Sequence, residues 1–441
     1  MADIFKAYDI RGIYPSEINK ETAYKIGRAF VKFLRCKNVA VGKDMRESCD
    51  ELFKALAKGI NDEGADVIDI GMCTTPMFYF CVSKYRYDSG IMITASHNPA
   101  KYNGFKLVRE KAIPIGEGSG MEEIKQIALG DMGQPKGKGK ITKKEFMQDY
   151  TKSMLKHNRI KRKLKVVIDY GNGMGSLEAD NVLKKTNIES IEMYKEPDGN
   201  FPNHEANPLK EENIKDLQKK VVEEKAELGI AFDGDCDRAG FVDEKGAFIP
   251  GDIIMTLIAQ QILKEKPGST TLYDLRSSKT VKENIEAKGG KALKTRVGHA
   301  FIKKQTRENN AEFAGELSMH FYFKEGDLYA ESSSRAILEI LSLLSSTDKK
   351  ISELAKPLKK YHQSGEINSE VPDKEAKMKK IEDRYKDAKI EHLDGVTAEY
   401  DDYWFNVRAS NTEPLLRLNL EAKTKELMEK KTKEVLNIIR D

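Results

Sequence analysis

This 441-residue chain has no excess of one charge sign, no long apolar run and no paired cysteines. Its 75 basic and 71 acidic side chains leave a net charge of +4. That is too even for a dedicated nucleic-acid binder, and no basic stripe is interleaved with aromatics. No stretch approaches the ~18 apolar residues of a membrane span. The start, Met1-Ala2-Asp3-Ile4-Phe5-Lys6, lacks a basic segment followed by an apolar one, so nothing suggests export. The five cysteines (Cys36, Cys49, Cys73, Cys81, Cys236) form an odd set without a Cys-x-x-Cys pair, and a chain this long folds without disulfides. The expectation is a cytoplasmic protein with reduced thiols and neither membrane nor nucleic acid as partner. Disorder is excluded too, because apolar residues make up 39% and 32 glycines accompany them, an ordinary globular balance.

What is present is a repeated alternation of short apolar strands and amphipathic helices. Val39-Ala40-Val41-Gly42 reads as a strand, followed by a helix over 50–61 with Leu52, Phe53, Leu56 and Ile60 on one face. Further strands are predicted at 67–71, 91–93, 166–169, 227–232 and 271–273. This alternation argues for helix-covered parallel or mixed sheets, whose function gathers in loops after strand ends. A Gly/Lys-rich stretch at 130–140 reads as a solvated connector, since it lacks the Gly-x4-Gly-Lys-Ser/Thr spacing of a phosphate loop. A second linker is expected near 356–364, after a helix over 335–344. Beyond it lie a charged helix (373–389), two β-rich segments (397–407 and 415–420) and a final helix, together an α+β module. Domains are accordingly expected at 1–148, 149–246, 247–360 and 361–441.

Four segments can carry chemistry. In Thr94-Ala95-Ser96-His97-Asn98-Pro99 a serine is presented at a strand end, and Pro99 keeps Asn98 out of the helical region. It is not a Gly-x-Ser-x-Gly elbow, which argues against a hydrolase. In Asp233-Gly234-Asp235-Cys236-Asp237-Arg238 three carboxylates at alternate positions can converge on one hard cation. An EF-hand reading fails because Arg238 stands where that loop needs glycine and a β-segment precedes it. Arg408-Ala409-Ser410-Asn411-Thr412-Glu413-Pro414, with Arg417, offers the guanidinium, hydroxyl and amide donors that a phosphate dianion requires. In Gly315-Glu316-Leu317-Ser318-Met319-His320 the polar residues alternate, which on an extended segment places them on one side, suited to sugar hydroxyls.

The combination and order of these motifs resemble the α-D-phosphohexomutase family, in particular its phosphomannomutase/phosphoglucomutase branch. The resemblance begins at Phe5-Lys6-Ala7-Tyr8-Asp9-Ile10-Arg11-Gly12 and runs to the Arg408 loop. It includes Tyr102-Asn103-Gly104-Phe105-Lys106, Asp169-Tyr170-Gly171-Asn172-Gly173, Pro197-Asp198-Gly199 and Arg296-Val297-Gly298-His299. It implies four domains around a central cleft: three related mixed-sheet α/β domains and a C-terminal α+β domain resembling the TATA-binding-protein fold. It also implies that Ser96 carries a phosphoryl group and that Asp233, Asp235 and Asp237 hold Mg²⁺ with it. Arg238 would face the reacting group, and Tyr8, Arg11, His97 and Lys106 would line the transfer site, with Lys106 or His97 carrying the proton. Glu316 and Ser318 would read sugar hydroxyls, with His320 and Arg296 nearby, while Arg408, Ser410, Asn411, Thr412 and Arg417 would clamp the distal phosphate.

The implied activity is interconversion of hexose 1-phosphate and hexose 6-phosphate, of mannose or glucose, through a hexose 1,6-bisphosphate that also serves as activator. A monomer or weak homodimer is expected. Two departures stand out: Gly42-Lys43-Asp44 replaces the Gly-Arg-Asp common in relatives, so Lys43 receives no role, and Met319 is bulkier than the usual Gly or Ala. A phosphoglucosamine mutase is disfavoured by Ser-Asn-Thr at 410–412, where that branch typically has Ser-Gly-Thr. A metal-dependent phosphomonoesterase and a non-catalytic sugar-phosphate-binding protein are the remaining alternatives.

Overall fold

In the computed structural model, which describes residues 1–135, 137–410 and 415–441, four β-sheets follow one another along the chain. In the first, Asn38–Lys43 lies parallel to both Asp66–Met72 and Ser89–Ile93. Tyr102–Arg109 and Ile10–Ile13 extend it antiparallel on one side, and Ile141–Lys143 continues it on the other. The helix Cys49–Asp62 buries Leu52, Leu56 and Ile60 as its periodicity predicts, with Phe53 at the margin. It approaches Lys20–Leu34 so closely that a Cβ on Gly59 would lie 2.2 Å from the Tyr24 carbonyl oxygen.

In the second sheet Leu164–Asp169 lies parallel to both Ile188–Met193 and Leu228–Phe232, with Ala239–Asp243 antiparallel beyond the latter. The third sets Thr270–Asp274 parallel to Lys291–Thr295 and Phe313–Gly315, then adds Phe321–Glu325 and Leu328–Glu331 antiparallel. These are three mixed α/β sheets. The fourth is antiparallel throughout, in the order His362–Glu370, Leu415–Ala422, Tyr403–Ala409, Val396–Glu399, Lys389–Glu391. Helices Lys374–Arg384 and Lys425–Arg440 pack on it, giving the expected α+β module. One apolar core runs from the first sheet through the third, whereas the fourth sheet and its helices enclose a core of their own. The fourth module meets the third through ion pairs, Lys294 to Glu391 at 2.7 Å and Lys279 to Glu399 at 3.0 Å.

Three expectations of local structure need correction. Residues 362–364, read as linker, already belong to the strand His362–Glu370, whose polar side chains show no apolar alternation. The charged helix ends at Arg384 rather than 389, because Lys389–Glu391 is drawn into pairing with Val396–Glu399. Glu316 to His320 is a turn, not an extended segment: Met319 N–H donates to Glu316 O at 3.1 Å and Glu316 N–H to His320 O at 3.0 Å. Met319 takes a left-handed φ of 67° to close it. Among the described residues, no helix is long and apolar enough to cross a membrane.

Candidate active site

Loops at the ends of strands from the first three sheets meet in a cleft of about 700 Å³. Ser96 follows Ser89–Ile93, the acidic loop follows Leu228–Phe232, and Arg276 follows Thr270–Asp274. Ser96 is 4% exposed and its backbone is left-handed, with φ 51°. This conformation is uncommon for a residue with a side chain and holds only where the surroundings fix it. Here Arg46 fixes it. The buried guanidinium donates to four main-chain carbonyls, those of Ser96 (3.0 Å), Asn98 (2.6 Å), Pro99 (2.9 Å) and Tyr102 (3.0 Å), and pairs with Asp44.

Ser96 Oγ donates to Asp233 Oδ2 at 3.1 Å and lies 3.2 Å from His97 Nδ1. The approach of the two loops depends on Gly234, where a Cβ would stand 2.4 Å from the Ser96 carbonyl oxygen. Asp233, Asp235 and Asp237 are buried, and ligand oxygens from all three lie within 4.8 Å of one another. Three carboxylates this close and this dry repel one another. Burial, then Asp237 and Asp235, push the Asp233 carboxyl well above its ordinary range. For Asp237 burial acts in the same direction, but Lys106, His320 and Arg238 outweigh it and hold the group well below. Lys106 Nζ bonds Asp235 Oδ2 and Asp237 Oδ2, each at 2.6 Å. Asp235 Oδ1 is buried with no hydrogen-bond partner. An orphaned carboxylate oxygen within an all-oxygen donor set fits a hard divalent cation such as Mg²⁺.

Opposite the acids, Glu316, Ser318 and His320 line the cleft from the turn described above. His320 bridges the walls, with Nδ1 2.9 Å from Glu316 Oε2 and Nε2 3.2 Å from Asp237 Oδ1. Burial opposes its protonation, but these carboxylates raise its pKa to about 9. Tyr8 and Arg11 close another side, Arg11 donating to Asn98 Oδ1 at 2.7 Å. Arg238 lines the cleft and its backbone N–H donates to Asp233 Oδ1 at 3.1 Å.

The structure places the two arginines among the phosphate-clamp candidates on the fourth sheet. Arg408 and Arg417 are register partners on adjacent strands, and both reach Glu366, Arg408 at 2.6 Å and Arg417 at 3.5 Å. Ser410 lies 3.4 Å from Arg417, while Asn411 and Thr412 fall outside the described residues. Arg296 is not among the cleft-lining side chains and stacks on Phe301, 4.2 Å from its centroid. Lys43, given no role, pairs with Asp50. Cys236 holds a thiol that burial keeps protonated, in line with a filler role.

Sequence reasoning missed four residues. Arg276 lines the cleft, pairs with Asp274 at 2.6 Å and lies 3.7 Å from Glu366, which pairs with Arg408 and Arg417. Its place directly after a strand end was the available signal. His299 also lines the cleft, edge-on to Tyr8, and stood within a motif already noted. Arg46 and Glu366 carry no local signal, because their roles arise only from what folding brings to them.

The chain matches, in order, the four domain models of one family. These are phosphoglucomutase/phosphomannomutase alpha/beta/alpha domain I over residues 2–132, domain II over 144–246, domain III over 250–361, and the C-terminal domain over 366–438. It is 44% identical over 443 residues to a phosphomannomutase of Methanocaldococcus jannaschii, covering 99% of this chain and 97% of that one. It is 37% identical over 451 residues to the phosphomannomutase of Escherichia coli K12, covering 99% of each. A crystal structure of a phosphoglucomutase/phosphomannomutase family protein from Burkholderia thailandensis superposes with a TM-score of 0.92 at 32% identity, covering 99% of this chain and 97% of that one. With every domain model matched in order and the Ser96 loop, the acidic loop and the Glu316 turn lining one cleft, the chain belongs to the phosphoglucomutase/phosphomannomutase family.

Proposed function

We propose that this hexose-phosphate mutase interconverts the 1- and 6-phosphates of mannose or glucose through a phosphorylated Ser96 and a hexose 1,6-bisphosphate, which also primes the serine. The observation that carries this reading is the contact of Ser96 Oγ with Asp233 inside the three-aspartate cluster, across the cleft from Glu316 and Ser318. Residues 1–148 would supply the serine, 149–246 the metal loop, 247–360 the sugar readers and 361–441 the phosphate clamp.

In the first step the bond from phosphorus to Ser96 Oγ breaks as a sugar hydroxyl oxygen bonds to phosphorus, and the proton that this oxygen loses passes to Ser96 Oγ; the second step returns it to the departing sugar oxygen. The bisphosphate then turns over, and Ser96 Oγ takes the other phosphoryl group, restoring the phosphoserine. Mg²⁺ held by Asp233, Asp235, Asp237 and the Ser96 phosphate would offset phosphoryl charge. Lys106 keeps its proton, because Asp235 and Asp237 outweigh the effect of burial, and acts as a fixed cation. Burial, Arg238 and Arg11 keep the His97 imidazole neutral, so that beside Ser96 Oγ it can exchange the serine proton. Positioning and charge stabilisation are what a loose phosphoryl-transfer transition state requires. The Arg408, Ser410, Asn411, Thr412 and Arg417 group would hold whichever phosphate is distal, with Tyr8, Arg276 and His320 along the sugar and Arg296 behind them.

The test is a side-by-side rate comparison on mannose 1-phosphate, glucose 1-phosphate and glucosamine 1-phosphate, with a trace of bisphosphate and a parallel assay for inorganic phosphate. Isomerised mannose or glucose phosphate without phosphate release is expected. Preference for the amino sugar, or phosphate as the main product, would overturn the assignment.

A further inference from the structure

Thr75 holds Asp235 twice. Its Oγ1–H donates to Asp235 Oδ2 at 2.6 Å and its backbone N–H to the Asp235 carbonyl at 2.9 Å. With Oδ2 occupied by Thr75 and Lys106, the other oxygen, buried and without a partner, is left for the cation. Thr75 opens the helix Thr75–Lys84, whose cap, Thr74, accepts the Met77 N–H at 3.1 Å and donates to Glu178 Oε1 at 2.7 Å.

Glu178 is fully buried. It also accepts from Tyr150 OH, at 2.8 and 2.7 Å to its two oxygens, and from Ser334 Oγ. Ser334 belongs to the first turn of the helix Ser333–Ser345, and its neighbour Ser333 donates to the Cys236 carbonyl at 2.8 Å. One carboxylate of the second sheet's layer thus gathers the N-termini of a first-domain helix and a third-domain helix, and residues beside its contacts on both helices grip the acidic loop. Burial raises the Glu178 pKa, and the three hydroxyl donors, together with the positive ends of two helix dipoles, act against that rise.

We infer that Thr75, braced through Thr74 by Glu178, is a positioning residue that fixes the orientation of the Asp235 carboxylate for cation binding. This rests on reading the acidic loop as a metal site. Ligand carboxylates are normally held by such outer contacts, and removing one typically weakens metal affinity about 10- to 100-fold.

The experiment titrates Mn²⁺ into the full-length protein, wild type and variants, followed by electron paramagnetic resonance of the free ion. Thr75→Val keeps the shape and deletes the donor; it is expected to weaken Mn²⁺ binding roughly tenfold or more, while Thr75→Ser, which keeps the donor, stays within about twofold of wild type. The KM for hexose phosphate should be unchanged in both. Glu178→Gln should weaken Mn²⁺ binding in the same direction with a cooperative thermal transition retained. Equal Mn²⁺ affinity in Thr75→Val and wild type overturns the inference, and so does a Thr75→Ser variant as weak as Thr75→Val. Failure of the wild type to bind Mn²⁺ would instead overturn the metal reading itself.

Discussion

Ser96 and Cys236 both adopt left-handed backbone, at φ 51° and 64°, on the two loops that meet at Gly234. Strain of this kind persists only where neighbours over-determine the chain, and Arg46 supplies that constraint for Ser96. The serine and the acids could be read from the sequence because they sit next to one another in it, as a short loop and an alternating triplet. Arg46 could not, since its partners lie about fifty positions away. A second residue-scale contact outside the cleft gives a pH test. His204 Nε2 lies 3.0 Å from Asp169 Oδ2, and although burial lowers the imidazole pKa, this contact raises it overall. A raised folded-state pKa stabilises the protein fully below the unfolded value near 6.5, and the contribution fades as pH climbs through the folded value. His204→Gln should therefore lower the melting temperature more at pH 6 than at pH 9. An equal drop at both would show that the Asp169 contact contributes no charge term.

At the scale of elements, strands with apolar alternation or continuous apolar runs were legible, and Ser89–Ile93 and Leu228–Phe232 place their following loops where the pattern put them. His362–Glu370 was not, because its side chains are mostly polar and exposed and it lies at the end of its sheet. That strand carries Glu366, which pairs with both Arg408 and Arg417. The Glu316 turn misled for the opposite reason: alternating polar residues imitate a strand, and only the left-handed Met319 shows the reversal. From the clamp geometry, Arg408→Ala should raise the Kd for hexose phosphate roughly 10- to 100-fold, the equivalent of one charged hydrogen-bonding group. Isothermal titration measures this, and unchanged binding would remove the arginine from the clamp.

The whole molecule combines a continuous three-sheet core with a fourth module attached by polar contacts. The side chains of these two pairs are half-buried, at 27–31% exposure, and neither apolar core crosses the seam. The chain's single tryptophan, Trp404, reports on it: Nε1–H donates to Glu421 Oε1 at 2.9 Å, and the same oxygen accepts the Lys279 N–H at 3.0 Å. Removing two seam cations with Lys279→Ala and Lys294→Ala should shift Trp404 emission to the red in the free protein, and hexose 1,6-bisphosphate should partly reverse the shift. Emission identical to wild type would indicate a rigid attachment. The separate α+β character of the last module was visible as a change in texture near residue 360, whereas the polar character of the seam depends on pairings across the fold that no local pattern reveals. All of this chemistry converges on Ser96, and the most direct measurement incubates the protein with hexose 1,6-bisphosphate carrying radioactive phosphorus, then maps the label by proteolysis. Label on the peptide containing Ser96, absent from Ser96→Ala together with mutase turnover, is the expected result. An unlabelled wild-type protein that still turns over, or a Ser96→Ala variant with near-normal turnover, would contradict it.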